Sequence, residues 1–298
     1  MAFKFSLQLQ VLFLLLACIA PHVILARDLG THKSYRRLFP QYLEGSRKGH
    51  NIQGIHDVKL YLQRYGYMSA NSVQPNDNAF DDALESGLKK YQQFFKLNVS
   101  GILERETLVL MSQPRCGCSD MFDAENHEVN KANTSSHYTF FPRNRKWPAN
   151  RHYLTYGFIH NFPTNFMTPV VRAFEDWDFN TLFSFTQAPH VQAANIVLSF
   201  ERGYHGDRFP FDGRWGVLAH AFGPNDGRVH FDADENWVVG MVADGFDVQM
   251  VALHELGHVL GLKHSADSQA IMWPYMEPNT VKGLSGDDIE GIRALYQS

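Results

Sequence analysis

His254-Glu255-Leu256-Gly257-His258 sets two imidazoles four residues apart, with a carboxylate beside the first. On a helix, that spacing sends both rings out of one face, where they can grip a single metal ion. Leu253, Leu256 and Leu260 lie towards the other side, free to bury in a core. Gly261 permits a left-handed stop, after which the chain can return His264 as a third ligand. Three neutral imidazoles leave a zinc ion one open position for water, as hydrolysis requires. Zinc lowers the pKa of such a water to about 7 and polarises a carbonyl. Glu255 is placed to take the water's proton during attack and to return it to a leaving amine. Further on, Ala270-Ile271-Met272-Trp273-Pro274 places a methionine in an apolar run soon after His264.

A second group, His205, Asp207, His220 and His230, offers three imidazoles and a carboxylate with no open position, the pattern of a closed structural zinc site. The elements that must hold these side chains follow from periodicity. Helical spacing begins at Ile55 (Val58, Tyr61, Leu62), recurs over Leu84, Leu88, Tyr91 and Phe95, and returns from Glu104 to Met111. This predicts a small all-α domain ending near Gln113. Residues 27–50 are basic and polar and read as a solvated leader, and Asp123 to Ser136 reads as an exposed linker open to proteolysis. Period-two segments follow at His152–Phe158, Phe183–Thr186, Asn195–Phe200, Val217–Phe222 and Arg228–Phe231. Helices are expected at Thr168–Phe179, capped by Thr168 with Pro169 first, at Asp247–Leu260, and at Ser285–Tyr296 behind a Ser285-x-x-Asp288 capping box. The fold class is therefore α+β: a mixed five-stranded sheet with three helices, preceded by a helical domain.

The full run His254-Glu255-x-x-His258-x-x-Gly261-x-x-His264, with its methionine turn, resembles the metzincin signature, which implies that Met272 lies beneath the metal as packing and not as a ligand; Ser265 directly after the third histidine resembles the matrixins (matrix metalloproteinases). Pro114-Arg115-Cys116-Gly117 resembles their cysteine switch. The resemblance implies a zymogen in which the Cys116 thiolate takes zinc's fourth position while Arg115 pairs with a carboxylate, for which Asp120 is the candidate. Cys118, two after Cys116, departs from the family pattern, and a Cys116–Cys118 disulfide that would leave the zinc unquenched stays open at this point. The four-residue zinc group matches the family pattern position by position. Asp212, Gly213, Asp232 and Glu235, joined by the Val217 carbonyl, match its calcium site. A second family calcium site is expected to be empty, because Asn195 and Arg228 stand where carboxylates are usual. Substrate would lie extended along the edge at Val217 to His220, with Pro274-Tyr275-Met276 walling an apolar pocket. Met276 stands where the family usually has Tyr.

Composition fits an exported globular protein. The chain has 298 residues, 44% apolar and 19% charged, and its net charge of −4 offers no attraction for nucleic acid or anionic membrane. Residues 1–26 read as a signal peptide cleaved after Ala26, which removes Cys18 and leaves no integral membrane segment. Asn98 and Asn133 head glycosylation sequons. Domains are thus expected at 1–26 (signal), 27–122 (propeptide), 123–137 (activation linker) and 138–298 (catalytic), with a mature start near His137 or Tyr138. The sequence describes a secreted endopeptidase, expected to be a monomer with two zinc ions and at least one calcium. It would be opened by autolysis or another protease and act on extended peptides in matrix, cell wall or apoplast. The layout leans towards the plant members. The rival reading is a cell-wall or matrix binding protein acting through a peptidoglycan-binding-like helical domain.

Overall fold

The computed structural model describes residues 39–69, 71–121 and 137–297. The expected signal peptide, most of the linker and Asn133 lie outside the described residues.

The helical domain is built from α1 (Ile55–Arg64), α2 (Asp82–Phe94) and α3 (Arg105–Met111). The Asp81 carboxylate accepts the Leu84 amide and caps α2. The inward faces bury Ile55, Val58, Leu62, Leu84, Leu88, Tyr91 and Met111 in one core. Phe39 and Leu43 belong to the same core, so residues 39–43 are part of this domain and not a solvated leader. Their two apolar side chains are diluted by basic neighbours, which hides them from a periodicity reading. Lys59 is fully buried on α1 and pairs with Asp77 and Asp81, so its charge is compensated.

The larger domain carries a five-stranded sheet of β1 (Tyr153–Phe158), β2 (Ser184–Gln187), β3 (Ile196–Glu201), β4 (Ala219–Ala221) and β5 (Arg228–Asp232) in the order β2-β1-β3-β5-β4. Every pairing is parallel except that β4 runs antiparallel to β5 and closes one edge. The order sets His220 on β4 directly opposite His230 on β5. A short parallel pair, β6 (Trp237–Val238) and β7 (Phe246–Asp247), leads into the helix that bears the histidines.

Three helices complete this domain: α4 (Thr164–Asn180), α5 (Val248–Val259) and α6 (Gly286–Tyr296). Helix α4 begins a turn earlier than Thr168, and Pro169 lies inside it. Phe166 stacks on Phe200 and Met167 packs on the core, so burial outweighs the hydrogen bond Pro169 cannot donate. Helix α5 is buried along nearly its whole length, as a helix that is apolar all round should be. It packs against α4, whose Trp177 indole donates to the Leu253 carbonyl at 2.9 Å. Helix α6 opens with the expected capping box, Ser285 and Asp288 each bonding the other's backbone.

Candidate metal centre

Asp247 caps α5 by accepting the Met250 amide at 2.7 Å, and Gly261 ends the turn after it at φ +109°. The Leu262 amide returns to the Gly257 carbonyl and the Gly261 amide to the His258 carbonyl, the paired bonds of a Schellman stop. That stop swings His264 back over the helix. Gly257 is required here, because a Cβ would meet the Met272 sulfur at 2.3 Å. The methionine turn is held by Asp288, which accepts the Ile271 and Met272 amides at 2.9 and 3.1 Å.

His254, His258 and His264 are all fully buried. Each Nδ1 is tied down: His254 donates to the Ile271 carbonyl at 2.7 Å, His258 to the Leu262 carbonyl at 2.9 Å, and His264 to Asp120 at 2.6 Å. With the ring proton at Nδ1, each Nε2 presents a lone pair inward. The Nε2 atoms of His258 and His264 stand 3.2 Å apart, and that of His254 has no hydrogen-bond partner. Two lone pairs that close repel unless a cation lies between them. Ligands at zinc's usual N distance would sit about 3.3 Å apart in a tetrahedron. The Cys116 sulfur, 3.4 Å from His258 Nε2, completes a buried four-donor group able to hold a metal ion. The donors therefore fit zinc.

Glu255 is fully buried beside this cage with neither carboxylate oxygen hydrogen-bonded. Burial, reinforced by the neighbouring Cys118, pushes its pKa up to about 8. A cation in the cage would pull it back down.

Cys116 reaches the cage because residues 114–117 lie in the cleft as an added strand. The Arg115 amide donates to the Gly216 carbonyl at 3.0 Å, and the Leu218 amide to the Arg115 carbonyl at 2.9 Å. The Gly117 amide donates to Ala219, the Cys116 amide to Pro274 and the Met276 amide to Pro114. Residues 216–218 thus pair with this segment, Leu218 also accepting the Asp232 amide of β5, and β4 is shorter than the expected Val217–Phe222. Gly117 lets the strand sit flush, since a Cβ there would come within 2.7 Å of Val217 Cγ1. Arg115 pairs with Asp120 as expected, and its guanidinium also lies 3.5 Å over the Tyr65 ring.

Several contacts of residues already singled out escaped the sequence reading. Asp120 carries His264 as well as Arg115, and accepts from the Tyr67 hydroxyl at 2.9 Å. Tyr275 is inserted in the core of the helical domain, its hydroxyl 2.7 Å from that of Tyr61 and 2.6 Å from that of Tyr91. Met276 is buried in the core of the larger domain. The density of tyrosines at 61, 65, 67 and 91 was the one available signal.

The structure also brings the four residues of the second group together. Asp207 Oδ2 lies 3.0 Å from His205 Nε2, 2.9 Å from His220 Nε2 and 3.0 Å from His230 Nδ1. Burial and the neighbouring imidazoles lower the His230 pKa to about 4, so the ring is neutral and ready to bind metal. Of the expected calcium residues, Asp232 and Glu235 are buried, each with one unpartnered oxygen. Burial, with repulsion from neighbouring carboxylates, raises them to about 6 and about 7. Asp212 faces the same spot but gives one oxygen to the Val217 amide at 2.9 Å, and Gly213 turns the loop at φ +79°. Around the second family calcium position, Asn195 accepts from the Thr155 amide and Arg228 pairs with Asp226.

The matrixin sequence pattern (peptidase M10) matches residues 146–297, and that of a putative peptidoglycan binding domain matches residues 52–111. Metalloendoproteinase 1 of Glycine max is 42% identical over 257 residues, 83% of each chain. The chain belongs to the matrixin family. It is a zinc metalloendopeptidase. Metalloendoproteinase 2-MMP of Arabidopsis thaliana is 39% identical over 278 residues, covering 85% of this chain and 73% of that one. Human matrix metalloproteinase-16 is 35% identical over 261 residues, 80% of this chain and 41% of its own length.

Proposed function

We propose that this matrixin is secreted as a zymogen latched by Cys116 and that it hydrolyses internal peptide bonds of extracellular proteins once the latch is removed. The observation that carries this reading is the convergence of His254, His258, His264 and Cys116 on one point, with Glu255 alongside. Zinc supplies Lewis acidity and an acidified water when bound by the three histidines. Glu255 takes the proton of the attacking water and hands it to the departing amine. The edge at Val217 to His220 offers the substrate the backbone groups that residues 115–117 use in the latched form.

The domain boundaries follow the same logic. The chain from His137 is tied to the catalytic body: the His137 amide donates to Asp287, and the Ala266 amide to the His137 carbonyl. A cut before His137 therefore leaves the catalytic domain's own start attached. The His205 group would hold a structural zinc, and Asp212, Gly213, Val217, Asp232 and Glu235 a calcium ion. Asn98 is exposed and available for glycosylation. Among the described residues no helix is long and apolar enough to cross a membrane.

The test is cleavage of a quenched peptide with leucine after the scissile bond, comparing full-length and linker-cut protein with and without a zinc chelator. Chelator-sensitive activity after the cut supports the reading. Silence in both forms with zinc bound would overturn it. The peptidoglycan-binding-like match at 52–111 favours a second reading, in which the helical domain also retains the protein on wall polysaccharide. Retention of the full-length chain on such polysaccharide would support that.

A further inference from the structure

Cys118 has no part in the mechanism above, yet it lies at the heart of the site. Cys116 and Cys118 are both free thiols, separated only by Gly117. Cys116 is fully buried, whereas Cys118 is partly exposed. The donor atoms of Cys116, Cys118, His258 and Glu255 all lie within 4.8 Å of one another. The Cys118 thiol donates to the Ala221 carbonyl at 3.3 Å, and the Cys118 amide donates to the Cys116 sulfur at 3.3 Å. One sulfur thus faces the cage, and a second, on a partly exposed residue, stands beside it.

We propose that Cys116 and Cys118 form a redox-active dithiol whose oxidation by a small-molecule disulfide withdraws Cys116 from the histidine cage and opens the enzyme without any cut in the chain. The inference rests on the latched-zymogen reading above. The Cys118 sulfur attacks one sulfur of the reagent, whose S–S bond breaks and whose first half leaves as a thiol carrying the Cys118 proton. The Cys116 sulfur, a thiolate in the latched form, then attacks Cys118 Sγ in the mixed disulfide, and the second half leaves as a thiolate that takes its proton from water. Two protein thiols are oxidised and one disulfide is reduced to two thiols. A sulfur bonded at about 2.0 Å to another sulfur carries no thiolate charge, so it no longer competes with water for zinc. A bridge closing over a single residue is strained, and strained disulfides are the readily reduced, regulatory kind. The pair therefore works as a reversible switch and not as a staple.

The experiment uses the full-length zymogen, its cobalt-substituted counterpart and the Cys118→Ser variant, each incubated with glutathione disulfide. The expected result is loss of two hydrogens with a mapped Cys116–Cys118 bridge and bleaching of the sulfur-to-cobalt absorption. Peptidase activity appears in the uncut zinc form, and reduced glutathione reverses all three changes. Cys118→Ser should keep its absorption and stay silent under the same treatment, yet activate normally when the linker is cut. Persistence of both thiols, a stable glutathione adduct with no bridge, a bridge that leaves the absorption intact, or equal opening of Cys118→Ser would each overturn the proposal. Bridging and bleaching in a protein that is inactive even after linker cleavage would uphold the dithiol and remove the peptidase reading instead.

Discussion

At the scale of single residues, the site works by leaving certain atoms without partners. The three cage histidines donate their Nδ1 protons to carbonyls or to Asp120, so their Nε2 lone pairs can only face one another. Glu255 has no hydrogen bond at all, a costly state for a buried carboxyl unless a metal and a water give it work. Replacing Glu255 with Gln should therefore leave zinc content unchanged and lower kcat in the linker-cut enzyme by about 10²- to 10⁴-fold, seen in metal analysis alongside peptide cleavage. The His205 group makes a pH prediction for the metal-free protein. His230 is held near 4 by burial and by its imidazole neighbours, against an ordinary value of 6.5. The unfolded chain thus binds a proton in the window that the folded chain refuses, and stability rises with pH across it. Thermal unfolding should show the full stabilisation above about pH 6.5, lost progressively towards pH 4; a midpoint that does not move over that range would contradict it.

At the scale of elements, two contacts govern whether the site is held shut and whether its frame stays firm. The strand 114–117 docks between residues 216–219 and 274–276, and Gly117 is the residue that permits the close approach. Gly117→Ala should cost the docked state about 1–3 kcal/mol, a several-fold to more than hundredfold rise in the open population. Activity of the uncut variant against a quenched peptide measures it directly. The 212–217 loop and the turn after β5 share the buried carboxylates Asp232 and Glu235, raised to about 6 and about 7. Below those values the pair is neutral; above them two charges are buried together and favour a bound cation. The gain in thermal midpoint on adding calcium should therefore grow between about pH 5 and pH 8, and a pH-independent gain would count against a calcium site here.

At the scale of the whole molecule, the helical domain does more than present a thiol. Tyr275 of the larger domain is buried in the helical domain's core, and Asp120, which follows the helical domain, bonds the third cage histidine. Loss of the chain through residue 122, as the proposed activation requires, would therefore expose an aromatic side chain and strip His264 of its carboxylate partner. The linker-cut, propeptide-free enzyme should lose zinc to a competing chelator faster than the uncut chain, because both a thiolate and a histidine-orienting carboxylate have gone. Equal release rates would show that the propeptide contributes nothing to metal retention.

Local chemistry was readable from the chain alone. The helix bearing His254 and His258, the glycine stop at 261, the return of His264, the closed His205 group and the α6 capping box all depend on short-range spacing, which periodicity and backbone rules fix before any folding. Side-chain partners across the two domains were not readable. Asp120 meeting His264, Tyr275 entering a foreign core, residues 39–43 joining that core and Cys118 standing beside Glu255 all require contacts between segments far apart in sequence. Such contacts leave no periodic trace, because each is chosen by the packing of complementary surfaces once the domains meet.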